Sequence, residues 1–254
     1  MSRTVVYSAL VLRNRPSKLA VANQESNNEI YLLTAEEGIV RATVFGGPKS
    51  KLRSHTAPYN SGQVWIYHDK TKEHRKLSDF DVHSWRPGLR ELYERTMAAG
   101  GMAETILSSH GGGGEWATAL KLASAALDTL ENANEELCER ILVHFLWRWA
   151  DFLGIQPEIE YCSNCGNTAA DNPFWFSSQE NSVSCVSCVP NNVKVPNTLK
   201  LNPGSRRWLS AVGVLEPSFL YRYSMDNKSF LEAKALVTAV LTGTLGKRLA
   251  SWDW

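Results

Sequence analysis

Two pairs of cysteines carry the most specific chemical signal in this sequence. Each pair has the form Cys-x-x-Cys, and 19 residues lie between the pairs. Two thiolates in one tight turn can bind a metal ion together, and two such pairs complete the tetrahedral shell that a structural zinc ion prefers. We therefore predict one structural Zn²⁺ ion, bound by Cys162, Cys165, Cys185 and Cys188.

The same four cysteines could instead form two disulfides or hold a catalytic metal. The chain opens with Met1-Ser2-Arg3-Thr4 and a strand pattern rather than an apolar secretory segment, and it has only five cysteines, so we expect a reducing compartment. Four thiolate ligands leave no open position for water or substrate, which argues against catalysis by the ion. The fifth cysteine, Cys138, lies in a helical pattern and is expected to be a core residue.

The sequence contains no motif of a catalytic site. Its six histidines form no His-x-x-x-His or His-Glu-x-x-His pair, and there is no Gly-x-Ser-x-Gly turn and no Rossmann or Walker glycine pattern. The run Gly111-Gly112-Gly113-Gly114 lacks the Gly-Lys-Ser/Thr that a phosphate-binding loop needs. We therefore expect that the protein is not an enzyme.

The net charge of +1 hides a division between the two ends of the chain. Residues 1–80 contain 12 Lys and Arg against 7 Asp and Glu, whereas residues 81–254 contain 15 against 19. The basic excess is densest in residues 41–76, with eight basic residues and two acidic ones. This density exceeds what solubility needs and indicates contact with nucleic-acid phosphates. The residues that we predict to make this contact are Arg41, Lys49, Lys51, Arg53, Lys72, Arg75 and Lys76.

Aromatic residues are interleaved with this charge. Proteins that bind single strands combine a cationic track with rings on which bases stack. Strands bury alternate residues, however, so we expect each ring, taken alone, to lie in the core, and the lysines could serve solubility only. The rings concerned are Tyr31, Phe45, Trp65 and Tyr67.

The residues that could bind nucleic acid fall within a strand-rich segment. Five runs of β-branched and aromatic residues, separated by Gly, Pro and polar turns, predict strands at 4–13, 29–35, 38–45, 62–68 and 74–82. Five short strands favour a small barrel of the OB-fold type, although periodicity alone also fits an SH3-like barrel. We predict that residues 1–82 form an OB-fold nucleic-acid-binding domain.

Helical periodicity dominates from Pro87 onward. The broadest apolar stripe covers about 135–153, and further helices are predicted at 115–131, 204–213 and 229–245. We predict a helical domain over 83–254, interrupted by the zinc-binding insert at 160–190, and thus a multidomain α+β fold. No apolar run approaches the ~18 residues of a membrane span, so we expect no membrane contact.

The order of these parts resembles the bacterial DNA repair and recombination protein RecO and its family. The resemblance extends from residue 4 to about 190. It is carried by Ala9-Leu10-Val11-Leu12-Arg13-Asn14-Arg15-Pro16, Leu33-Thr34-Ala35-Glu36-Glu37-Gly38, Gly46-Gly47-Pro48-Lys49-Ser50-Lys51-Leu52-Arg53, Pro87-Gly88-Leu89-Arg90, and Leu153-Gly154-Ile155-Gln156-Pro157 running into Tyr161-Cys162-Ser163-Asn164-Cys165-Gly166.

The resemblance implies an OB-fold domain, a helical domain and a zinc-binding insert. It implies a protein that binds single- and double-stranded DNA, anneals complementary strands and, with RecR, helps to load the RecA recombinase onto DNA coated with single-strand-binding protein. Such a protein works in the bacterial cytoplasm, at the nucleoid. Carried over by position, the DNA contacts would also include Arg13 and Arg15. The chain departs from the family pattern at 17–29, where the first turn is longer and more polar.

A different class of function fits the same parts. A zinc-ribbon assembly or transcription factor would use the barrel to recruit protein partners. It would then bind a partner tightly and show little affinity for DNA at moderate salt. An enzyme with an unrecognised site is a third possibility, which turnover of a nucleic-acid substrate would reveal.

Overall fold

A computed structural model of the chain describes residues 3–16, 27–46, 50–69, 71, 73–168, 171–189 and 198–252. The chain divides into two compact units, Met1–Asn132 and Ala133–Trp254. The first unit has five strands followed by helices, and the second has helices and a small sheet, so the predicted α+β class is confirmed.

Five strands of the first unit form a closed barrel. Around the barrel they follow the order β1-β2-β3-β5-β4, and β1 pairs with β4 to close it. Neighbouring strands are antiparallel except β3 and β5, which meet in parallel at Thr43 and Lys76. The strands are β1, Arg3–Pro16; β2, Asn28–Thr34; β3, Gly38–Val44; β4, Ser61–Asp69; and β5, His74–Ser84.

Alternate residues of the five strands fill the inside of this barrel. A register shift between Val11 and Arg13 interrupts the alternation on β1. A second shift, where β4 pairs with β5, leaves Ser78 without a register partner between Leu77 and Asp79. The buried core consists of Tyr7, Ala9, Val11, Ile30, Leu32, Val40, Ala42, Val44, Val64, Ile66, Leu77 and Phe80.

Helices of the first unit cover one end of the barrel's outer face. A short helix, α1 (Lys51–His55), leads into β4, and a 3₁₀ turn at Pro87–Arg90 leads into α2 (Tyr93–Ser108) and α3 (Trp116–Leu130). Both α2 and α3 pack against β1, and α3 also packs against β2. This packing accounts for three leucines that are buried outside the barrel core, namely Leu10, Leu12 and Leu33.

The turn between β2 and β3 fits closely against α3. Gly38 in this turn has a φ of +70°, and a Cβ added there would lie 2.7 Å from Nε1 of Trp116. Both the backbone conformation and the contact therefore require glycine. The indole fixes the turn beside the helix.

The second unit is built on three helices that pack against one another: α4 (Glu135–Phe152), α5 (Pro203–Val214) and α6 (Asn227–Leu245). Side-chain oxygens of Asn134 and Asp226 accept hydrogen bonds from first-turn N–H groups and cap α4 and α6. Cys138 on α4 is fully buried, as predicted. A sheet of three short strands, in the order β7-β6-β8, lies between α4 and α5 in the chain: β6, Phe174–Ser177; β7, Ser182–Cys185; and β8, Thr198–Leu201.

The structure bears out most of the predicted elements and adds several short ones. All five strands of the barrel and the predicted helices are present. The additions include α1, between the third and fourth predicted strands, β7, within the predicted insert at 160–190, and β8, which extends the sheet beyond that insert. Of the lengthened turn at 17–29, residues 17–26 lie outside the described part of the chain.

The two compact units do not follow the predicted domain division. Strands give way to helices near Pro87, as expected, but α2 and α3 belong to the same unit as the barrel. The reason is that α2 and α3 pack on the outside of β1. The division at 82/83, which follows secondary structure, stays a prediction.

Candidate nucleic-acid interface and metal centre

The four predicted cysteine ligands meet in one cluster. Their Sγ atoms all lie within 4.8 Å of one another, and those of Cys165 and Cys185 are 3.7 Å apart. A disulfide bond would require about 2.05 Å. A tetrahedron with metal–sulfur bonds of about 2.3 Å has edges of about 3.8 Å, so the cluster could hold one metal ion.

Backbone hydrogen bonds shape the turns that carry these cysteines. The N–H of Gly166 donates to the carbonyl of Cys162 at 2.8 Å, and Gly166 has a φ of +70° that suits glycine. In the second turn the N–H of Cys188 donates to the carbonyl of Cys185 at 3.0 Å. The N–H of Cys185 also donates to Sγ of Cys162, at 3.3 Å. Both turns therefore point their sulfur atoms at one centre.

The thiols of the cluster differ in how readily they ionise. Burial of Cys162 opposes ionisation, but backbone N–H groups of Cys185, Asn164 and Cys165 outweigh it and lower the pKa of Cys162 to about 6. Hydrogen bonding with the thiols of Cys165 and Cys185 raises the pKa of Cys188. Four thiolates this close together need a cation among them, because their charges repel.

An arginine of α5 packs against the sheet that carries Cys185. Phe174 and Phe176 of β6 are fully buried. The guanidinium of Arg206, on α5, lies 4.0 Å from the ring centroid of Phe174 and donates to the carbonyl of Asn172 at 2.9 Å. Arg206 is 6% exposed, and this burial lowers its pKa. The arginine thus joins α5 to β6, which pairs with the strand that contains Cys185.

Predicted DNA-contact residues form two rows on the outer face of the barrel. In the first row, Tyr31 on β2 pairs with Arg13 on β1 and with Arg41 on β3. Directly opposed residues of paired strands share a face, so all three side chains lie outside the barrel. The second row runs across all five strands: Arg15, Glu29, Thr43, Lys76, Tyr67 and Thr4.

A carboxylate joins the two rows. The Oε2 atom of Glu29 accepts hydrogen bonds from Nε and Nη2 of Arg15 at 2.9 and 2.6 Å, and from the Tyr31 hydroxyl at 3.0 Å; Oε1 pairs with Arg41. Burial of Glu29 opposes its ionisation, but these hydrogen bonds outweigh the burial and hold the pKa of Glu29 below its ordinary value. The Arg41 side chain stays 61% exposed. Sequence reasoning missed Glu29, because its pairing depends on strand register.

Helix α1 lies next to the end of the second row that contains Arg15. Arg53 of α1 donates to Oδ1 of Asn28 at 3.3 Å, and Asn28 is the register partner of Pro16, next to Arg15. Lys51 is exposed at the start of the same helix. Arg53 is therefore brought to the end of β1 and β2 where the predicted cations lie. Two further predicted residues, Lys49 and Lys72, lie outside the described residues.

Arg75 is not part of this surface. Its side chain lies on the opposite face of β5 from Lys76 and pairs with Glu37 in the turn between β2 and β3. Glu37 in turn accepts a hydrogen bond of 2.6 Å from the hydroxyl of Tyr7. Burial and the contact with Glu37 raise the pKa of Tyr7 to about 12. The structure therefore gives Arg75 an intramolecular partner at the end of the barrel core.

All four interleaved rings lie outside the barrel core, contrary to what we expected for each ring alone. Tyr31 stands in the first row, and Trp65 and Tyr67 lie on the outer face of β4. Phe45 and Tyr67 are 40% and 37% exposed. Smaller aliphatic side chains fill most of the core instead.

Most of the chain that follows the barrel matches a known protein family. The family described as Recombination protein O C terminal matches residues 90–253, which is more than half of the chain. The chain belongs to the RecO family. The resemblance seen in the sequence is therefore confirmed.

Three RecO relatives show how far the similarity extends. A protein of Anaeromyxobacter sp. (strain K) is 28% identical over 240 residues, which cover 91% of this chain and 90% of the relative. One of Desulforamulus reducens is 21% identical over 248 residues, or 97% and 91%. One of Rubrobacter xylanophilus is 25% identical over 183 residues, or 71% of each. All three are named DNA repair protein RecO, and the longer matches extend over the barrel.

Among the described residues of this RecO-family chain, no helix combines the length and the apolar character that crossing a bilayer requires.

Proposed function

We propose that this protein binds DNA in recombinational repair, anneals complementary single strands and, with RecR, helps to load RecA onto DNA coated with single-strand-binding protein. Membership of the RecO family supports the repair role, since the relatives are named DNA repair proteins. The observation that carries DNA binding is the pair of rows in which Arg13, Arg15, Arg41 and Lys76 lie on the outer face of the barrel.

We assign the barrel to the OB-fold type. Five strands, closed through a parallel contact between β3 and β5, are consistent with the five-stranded barrels that bind oligonucleotides on one face. Helices α2 and α3 pack against the other end of the outer surface of β1 and β2. The rows that contain Arg41 and Lys76 stay accessible, and both residues are exposed.

Annealing follows from electrostatics and needs no covalent step. Exposed arginine and lysine side chains replace the counterions of the phosphates, and this gives an affinity that falls as salt rises. Two strands held on one basic surface repel each other less and meet at a higher local concentration. Glu29 holds Arg15 and Arg41 on the outer face, where their remaining N–H groups can donate to phosphate oxygens.

We propose Zn²⁺ as the ion of the cysteine cluster, with a structural role. When bound, it would neutralise the thiolates and lock the two turns together. A shell of Cys162, Cys165, Cys185 and Cys188 has no position for a substrate, so the ion would take no part in catalysis, and we propose that the protein works by binding and not as an enzyme. The helical, net acidic part of the chain after residue 80 would meet the protein partners RecR and single-strand-binding protein, in the cytoplasm at the nucleoid.

Substitutions that replace a basic side chain with a neutral one test this proposal. The double variant Arg41→Gln/Lys76→Gln should bind single-stranded DNA more weakly, and the negative slope of log K against log salt should become less steep by about 0.7 for each phosphate that the variant no longer neutralises. The rate of strand annealing should fall with it. Lys121→Gln, which removes an exposed charge from α3, is the matched control and should leave both unchanged.

The partner roles need a second assay. Annealing and RecA loading are measured on DNA coated with single-strand-binding protein, with and without RecR. The proposal fails if the wild-type protein binds no oligonucleotide at low salt, or if Arg41→Gln/Lys76→Gln behaves as Lys121→Gln does. Tight protein binding without DNA affinity would favour the assembly-factor alternative.

A further inference from the structure

Two exposed aromatic rings flank Lys76 on the outer face of the barrel. Tyr67 on β4 is the direct register partner of Lys76, and Thr43 on β3 is its partner on the other side. Phe45 follows Thr43 by two residues, just after the end of β3, and its ring contacts Lys76. We call the side chains of Phe45, Tyr67, Lys76 and the neighbouring His74 the ring cluster.

Contacts within the ring cluster are few and specific. The Lys76 ammonium lies 5.1 Å from the ring centroid of Phe45, a cation–π contact. His74 meets the Phe45 ring edge-on at 5.9 Å, and its Nε2 lies 3.0 Å from Oγ1 of Thr43. These contacts orient Phe45 and Lys76, while Phe45 is still 40% exposed and Tyr67 37%.

The barrel does not need these rings for its own core. The core is filled by twelve other buried residues, mostly aliphatic, from the same strands. Further apolar side chains lie beside Tyr67 on the outer face of β4. Trp65 is two residues away on this face and pairs with Val6, which is 45% exposed. Single exposed apolar residues are common on protein surfaces, but exposed rings clustered around a lysine indicate a binding site.

We infer that the ring cluster is a base-stacking site that makes the protein prefer single-stranded over double-stranded DNA. The inference rests on the proposed function, because it assumes that DNA lies along the second row. Bases of a single strand can leave their neighbours and stack on Phe45 and Tyr67, whereas duplex pairing hides their faces. Lys76, between the two rings, is placed to meet the phosphates that link the stacked bases.

Phosphate contact and base stacking predict different responses to a strand without bases. An abasic strand keeps the phosphate charges but offers nothing to stack. The wild-type protein should therefore bind oligothymidylate more tightly than an abasic strand of the same length and charge, by roughly tenfold for each ring engaged. The cationic rows alone would give the two strands equal affinity.

The test compares three ligands across the wild type and four variants. Oligothymidylate, the abasic strand and a duplex of equal charge are titrated against Phe45→Leu, Tyr67→Leu and the control Tyr93→Leu, a ring on α2 that is 68% exposed. The first two should lose most of the preference for oligothymidylate and keep their affinity for the abasic strand and the duplex. Tyr93→Leu should behave as the wild type. Phe45→Trp should restore the preference, which separates stacking from a local folding defect.

The outcomes distinguish this inference from the proposed function. Equal wild-type affinity for oligothymidylate and the abasic strand overturns the inference while DNA binding stands. The inference is also overturned if Phe45→Leu and Tyr67→Leu both keep the preference for oligothymidylate over the abasic strand. The two rings would then be candidates for contact with a protein. Absence of binding to all three ligands at low salt would remove the proposed function itself.

Discussion

Glu29 accepts two hydrogen bonds from Arg15, one from Nε at 2.9 Å and one from Nη2 at 2.6 Å. The Glu29 side chain is only 9% exposed, whereas that of Arg15 is 39% exposed. A carboxylate thus lies beneath the cations of the proposed DNA surface. The Glu29 carboxylate offsets part of the positive charge of Arg15 and Arg41 but fixes the orientation of their side chains.

Glu29 should make the stability of the first unit depend on acid pH. Its pKa in the folded protein lies below the ordinary value of 4.5, so the unfolded chain takes up the proton first as pH falls. The stabilisation is therefore complete above pH 4.5 and is lost as pH falls through the folded pKa. Glu29→Gln should lower the free energy of unfolding at neutral pH and flatten this acid dependence, measured by urea unfolding between about pH 7 and pH 3.

The control for this prediction is Glu94→Gln, in the first turn of α2. It should leave the acid dependence close to that of the wild type. An unaltered pH profile in Glu29→Gln would show that the arginines do not stabilise the Glu29 carboxylate.

Arg86 should be the arginine on which the stability of the first unit depends most. It is 3% exposed, and its guanidinium donates to Asp128 of α3 at 2.7 Å and to the carbonyl of Tyr59 at 2.6 Å. Arg86→Met would leave this carbonyl without its arginine donor and Asp128 without its cation, and we expect a loss of about 2–4 kcal/mol in the free energy of unfolding. Arg90→Met, which removes an exposed arginine bonded to the carbonyl of Pro58, should cost under about 1 kcal/mol. Equal losses in the two variants would contradict the prediction.

Metal content should follow the cysteine cluster alone. Elemental analysis is expected to find about one zinc ion per chain, retained in Cys138→Ala and lost in Cys162→Ser, because only the second residue belongs to the cluster. Structural zinc contributes on the order of 10 kcal/mol in small zinc-binding peptides, so Cys162→Ser or a chelator should lower the unfolding temperature of the second unit clearly. Loss of zinc from Cys138→Ala but not from Cys162→Ser would refute the site.

The sequence was sufficient for the longer helices and strands and for the cysteine cluster, because both depend on local patterns. Strand alternation, helical periodicity and Cys-x-x-Cys spacing are read along the chain. The short elements α1 and β8 were missed since five and four residues carry too little periodicity. The ion pair of Glu29 with Arg41 was missed for a different reason, since it joins residues 12 positions apart through the β2–β3 register.

Arg75 and Lys76 show why the site itself could not be predicted in full. Alternation counted from the buried Phe80 would place Lys76 inside the barrel and Arg75 outside. The extra residue at Ser78 reverses this, so that Leu77 is buried, Lys76 faces out and Arg75 reaches Glu37. A bulge depends on the partner strand, and the sequence of β5 alone gives no sign of it.

His144 should give the second unit its own acid dependence at milder pH. The imidazole is 1% exposed on α4, and its Nε2 lies 3.0 Å from the carbonyl oxygen of Leu215, so the neutral ring donates its N–H there. Burial lowers the pKa of His144 from 6.5 to about 4. The unfolded state therefore binds the proton first, and stability should fall as pH is lowered from about 6.5 toward 4, with little change above 6.5.

His144→Gln should remove this dependence while keeping a donor for the Leu215 carbonyl. Urea unfolding of the second unit, followed between about pH 7.5 and pH 4.5, measures the slope. His110→Asn is the matched control, because His110 is exposed and its φ of 53° suits asparagine. A slope that persists unchanged in His144→Gln would show that the acid dependence arises from other groups and would contradict the prediction.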